Sequence, residues 1–161
     1  YLRSLKYRKM NFKIILLALV ALAGLSACAN DKAQETDQQK LWDEMMVVHD
    51  EVMPKMSDIN TLSKQMEAAL SDTTLTEELR DAARKSLYDL QAADKAMWDW
   101  MYGIQQLPDL RTSKKHEEIL QYLQEETAKI TEVKSSMLGS IEAAQSVKGR
   151  LPQTTTETSL Q

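Results

Sequence analysis

Residues 38–70 read QQKLWDEMMVVHDEVMPKMSDINTLSKQMEAAL. Apolar or small residues recur at Leu41, Met45, Val48, Val52, Met56, Ile59, Ser63, Met66 and Leu70. Steps of three and four place these side chains along one face of a helix, so the stretch predicts an amphipathic helix that buries a single stripe. Asp37 stands where an N-cap is needed. Pro54 removes one backbone donor and crowds the carbonyl of Asp50. The seam keeps its phase across Pro54, which predicts a kink in one helix rather than two helices.

Downstream the pattern stops at Ser71-Asp72-Thr73-Thr74 and resumes. Thr74 followed by Glu77 matches a capping box, so a second helix is predicted from about Leu75 to Tyr102. Its seam is Leu79, Ala82, Ala83, Leu87, Leu90, Met97, Met101 and Ile104. Gly103 is placed as its stop, and Pro108 as part of a loop. A third helix is predicted from about Ser113 to Val147, with Ile119, Leu123, Ile130, Val133, Met137, Ile141 and Ala144 as its seam. Gly149 and Pro152 end it, and residues 149–161, rich in Thr, read as a disordered tail. Runs that alternate apolar and polar residues are absent, so strands are not expected. The fold class is all-α: an elongated, slightly coiled-coil-like antiparallel three-helix bundle over residues 38–148.

Upstream, residues 10–28 read MNFKIILLALVALAGLSAC. One positive charge, Lys13, precedes an apolar run from Ile14 to Leu25. About 12 apolar residues make a helix of about 18 Å, short of the ~20 residues a membrane span needs. Charge, short apolar run and small residues, in that order, read as a signal peptide over residues 10–27. Residues 1–9, YLRSLKYRK, precede its Met10 and read as an over-extended start. Leu25-Ser26-Ala27-Cys28 resembles the lipobox of bacterial lipoproteins. The resemblance implies a diacylglyceryl thioether on Cys28, cleavage after Ala27 and acylation of the new N-terminus. Two or more acyl chains are what stable anchoring in a bilayer requires. Cys28 is the chain's one cysteine, so an internal disulfide is excluded. Residues 28–37 then form the lipid anchor and a flexible polar tether. Ala29 stands where an inner-membrane retention signal would place Asp. That choice points to the outer membrane, with the domain in the periplasm.

Five of the 20 basic residues precede Cys28 and all 24 acidic ones follow it, which leaves a net charge of −9 on the part after the signal peptide. An acidic body of about 134 residues argues against nucleic acid as a partner. Enzymatic signatures are also missing: a nucleophile with an assignable base, a Gly-rich phosphate loop and H-E-x-x-H are all absent. His49 and Asp50-Glu51 are adjacent in sequence, and consecutive helical side chains point in different directions.

Chemistry-bearing residues concentrate in LWDEMMVVHDEVMPKM (41–56) and AMWDWM (96–101). Antiparallel packing about a turn near Thr73 predicts His49 level with Met97 and Met45 level with Met101. A second turn near Pro108 predicts His116 close to the level of Trp100. Met45, His49 and Met53 step by four along one face. Thioethers and imidazoles suit Cu(I), so Met45, His49, Met53, Met97 and Met101 form a candidate soft-metal set. In residue types alone the set resembles exported Cu(I) and Ag(I) carriers. The competing reading is a core filled by adaptable Met side chains. Asp94 falls on the inner face, within reach of a Lys or of His49. With the lipobox, the segments HDEVMPKM and AMWDWM resemble small helical lipoproteins of Gram-negative bacteria, some labelled "viral A-type inclusion protein"; that coiled-coil likeness implies no activity. The functional expectation is a non-enzymatic, lipid-anchored structural or protein-interaction module without a cofactor. The alternative is a copper carrier.

Overall fold

The structure, a computed structural model, describes the backbone of residues 12–152 and the side chains of residues 31–152. The expectations for residues 1–9, for the side chain of Cys28 and for the tail from residue 153 onward lie outside the described residues. Helix α1 spans Phe12–Val52, a 3-10 turn spans Met53–Lys55, and α2 spans Met56–Leu70. Helices α3 (Glu77–Gly103), α4 (Leu107–Ser113) and α5 (His116–Arg150) follow. The described residues are all-helical, without strands. No helix among them is long and apolar enough to cross a membrane.

The burial pattern follows the seams. Met45, Val52, Ile59 and Met66 are buried at intervals of seven, and Leu90, Ala93 and Met97 continue the stripe on α3. Ile119, Leu123, Ile130 and Met137 supply the α5 side. Each fully buried apolar side chain of this size contributes roughly 1.5–3 kcal/mol. Helix α3 runs antiparallel to α5, as the contacts Gln105–Tyr122 and Glu78–Arg150 require. Helices α1 and α5 run in the same direction, with Gln38 beside His116 and Glu51 beside Lys134.

Several expectations are corrected. Five α-helices and a 3-10 turn stand among the described residues in place of three helices. At Pro54 the path bends through the 3-10 turn, where the Met56 N–H donates to the Met53 carbonyl. The backbone stays right-handed helical on both sides, so the ring's missing donor is accommodated by tightening one turn. The cap of α3 is Thr76, not Thr74: the Thr76 hydroxyl accepts from the Leu79 N–H at 3.3 Å. Thr74 instead donates twice to Asp72 Oδ1, from its backbone N–H at 2.8 Å and its hydroxyl at 2.7 Å. Gly103 does not stop α3 through a left-handed turn, because no described glycine has a positive φ. Ile104 leaves the helix with extended backbone instead.

The loop expected around Pro108 is the helix α4, with Pro108 in its first turn, where a missing N–H costs nothing. Its Leu107 and Leu110 are buried in the common core. The flexible tether is corrected over its described part: residues 31–37 continue α1 without a break. Their Lys, Ala, Gln and Glu side chains favour helix, and Asp37 therefore lies inside the helix instead of capping it. At the other end α5 continues through Gly149 to Arg150, and Leu151 packs against the core rather than starting a tail.

Candidate functional site

The methionine, histidine and tryptophan residues divide between the core and its margin. Met45 and Met97 are fully buried. Met46, Met53, Met56 and Met101 are half-buried and pack against the same core. Trp42 is half-buried on α1, Trp100 is buried on α3, and Trp98 faces outward. His49 sits one turn after Met45. Its ring stacks on Trp100 with centroids 5.6 Å apart and an interplanar angle of 30°. The predicted level of His49, that of Met97, is therefore displaced by three residues along α3.

His49 Nδ1 lies 2.9 Å from Asp50 Oδ1. This corrects the expectation that adjacent positions on the helix stay apart: the short Asp side chain folds along the surface to reach the ring. Glu51 points elsewhere and takes an ion pair from Lys134 at 2.6 Å. Asp94 is half-buried and makes no ion pair among the described residues, whether with Lys or with His49. No group of three or more His, Cys, Asp or Glu side chains converges there either.

The placement of His116 is also corrected. It does not reach Trp100 but lies beside Gln38, about three turns of α1 before His49. The reason is α4. The α3–α5 pairs Gln105–Tyr122 and Glu78–Arg150 both centre near residue 114. An ordered helix over residues 107–113 displaces the turn from the predicted centre near Pro108 and slides α5 by three turns.

Trp100 forms the floor of a groove of about 520 Å³ between α3 and α5, lined also by Asp99, Glu126, Lys129, Glu132 and Val133. Glu126 is a buried carboxylate, held by Lys129 Nζ at 2.7 Å. That hydrogen bond and the Glu126 charge hold the Lys129 ammonium above its usual range. Nearby, burial pushes the Tyr122 phenol up, partly opposed by the Gln105 N–H that its oxygen accepts at 2.8 Å. The indole N–H of Trp100 is buried and has no hydrogen-bond partner among the described residues.

Sequence reasoning missed a polar hub beyond the C-terminal end of α3. Buried Gln38 joins His116 of α5 to Arg111 of α4. A Gln at a predicted helix start gives no signal of burial. The chain matches no family model, no curated protein and no solved structure.

Proposed function

We propose that the protein is a lipid-anchored component of a bacterial cell envelope. Its elongated antiparallel bundle of three helical rods acts as a structural or protein-interaction module, without catalytic chemistry and without a cofactor. Cys28 is the lipidation site, and the signal peptide ends at Ala27. The domain stands in the periplasm, held at the outer membrane. The observation that carries the module reading is the complete burial of Met45, Met66, Met97 and Met137 in one continuous apolar core. Thioethers in that setting fill irregular gaps between helices, and a bound cation there would lose its solvation.

A partner surface is supplied by α3, whose Tyr88, Trp98 and Tyr102 are 72%, 39% and 82% exposed. Trp98 and Tyr102 stack on one another at 5.8 Å. Rings fixed in this way offer contact area at low entropic cost.

The soft-metal alternative rests on His49, whose Nδ1 is oriented by Asp50 as ligand imidazoles often are. It would draw on Met45, Met53, Met97 and Met101 for copper.

Mass spectrometry of the protein from its native envelope tests the anchored reading. A thioether-linked diacylglyceryl group on Cys28 is expected, and Cys28→Ala should leave an uncleaved precursor. Unmodified Cys28 in membrane-bound protein would overturn it.

A further inference from the structure

Gln38 is only 5% exposed and joins three elements. Its Oε1 accepts from Arg111 Nε at 2.9 Å, and its Nε2 lies 3.2 Å from His116 Nδ1. Arg111 Nη2 also donates to the Glu35 carbonyl at 2.9 Å. Guanidinium groups only donate, so the amide atom facing Arg111 must be the oxygen. The NH₂ group then faces His116, and Nδ1 must offer a lone pair. The trio is complete only with a neutral ring that carries its proton on Nε2.

We propose that Gln38, Arg111 and His116 form a proton-operated latch, in which protonation of His116 releases the segment of α1 at residues 31–38 from α4 and α5. A protonated ring sets an N–H against the Gln38 NH₂. Flipping the amide only moves the clash of donors to Arg111. From α4 the imidazolium meets Arg111, and Lys114 and Lys115 lie in the junction before it. From α1 the facing groups are the Gln38 amide and Glu35, whose backbone carbonyl accepts from Arg111 and whose carboxylate makes no ion pair among the described residues. On its own helix Glu117 is adjacent in sequence, the Glu118 carboxylate accepts from the Lys115 N–H at 2.8 Å, and no carboxylate pairs with the ring among the described residues. His116 is also the first residue of α5, at the positive end of the helix dipole. His49 differs on this point, because Asp50 stands ready to accept from it. Before Gln38, the side chains of residues 31–37 are exposed except for half-buried Gln34, so little else holds this segment down.

Hydrogen–deuterium exchange of the full chain tests the latch, with rates corrected for the chemical pH dependence. In the wild type, amides of residues 31–41 should exchange at least about threefold faster at about pH 5.5 than at about pH 7.5, while those of α3 hold steady. His116→Asn keeps an acceptor where Nδ1 stood and does not titrate, so its ratio should be about one. Gln38→Met should exchange fast at both pH values. A wild-type ratio near one, the same ratio in His116→Asn, or an equal change across α3 would each overturn the latch. So would nitrogen NMR showing the neutral His116 ring protonated on Nδ1.

Discussion

Ile130 and Leu87 both belong to predicted seams, yet their surroundings differ. Ile130 is fully buried, whereas Leu87 is half-buried against the core. A cavity at Ile130 would be enclosed on all sides, so Ile130→Ala should cost about 2–5 kcal/mol. Leu87→Ala leaves a gap that water can enter and should cost less than about 2 kcal/mol. Urea unfolding followed by circular dichroism measures both. Equal losses would show that the exposure of Leu87 misstates its role in packing.

At the scale of elements, the start of α3 makes the next distinction. Thr76 accepts the Leu79 N–H, so Thr76→Ala should lower stability by about 1 kcal/mol. Thr74 satisfies Asp72 in an exposed turn, and Thr74→Ala should cost about half as much or less. Chemical unfolding of the two variants ranks them, and the reverse order would return the cap to Thr74. The sequence shows the helices because the 3.6-residue period survives any local detail. Leu79, Leu90, Met97, Ile119, Leu123 and Met137 are all buried as their spacing demands. The seam positions it hides are those filled by other chemistry: Ser86 and Ser140 by small size, Trp100 by its place outside the aliphatic pattern, and Glu126 by its ion pair with Lys129. Helix α4 is illegible because seven residues containing Pro108 carry no periodicity, and its two leucines gain their meaning only from the core they meet. That one short helix also displaces His116 from the level of Trp100, whereas Met45 and Met97 are buried in the core as their seams predict.

For the whole molecule, the titrating groups predict how stability closes off at each extreme of pH. Burial raises the Tyr122 phenol, so the folded state prefers the neutral ring. The hydrogen bond that Lys129 donates to Glu126 raises the Lys129 ammonium, so the folded state prefers its charged form. Both groups have a higher pKa folded than unfolded, so their contributions are complete below about pH 10 and disappear as pH rises through the folded values. Asp72 is lowered, chiefly by the Thr74 hydroxyl, so its contribution is present above the ordinary carboxylate range and disappears as pH falls through the depressed value. Urea midpoints should therefore fall above about pH 10, and Tyr122→Phe should flatten part of that fall. An unchanged alkaline slope in Tyr122→Phe would remove Tyr122 from the explanation.

The same core that sets this stability carries the functional reading, in which thioethers and imidazole pack helices together. Thermal melting of the wild type and His49→Leu, each with and without Cu(I), tests that claim directly. The leucine keeps an apolar face against Trp100 and removes the imidazole, so the variant should melt at the same temperature or higher, and Cu(I) should move neither protein. A rise in the melting temperature of the wild type with Cu(I), reproduced by Ag(I) and lost in His49→Leu, would contradict the account and make the cluster a metal site.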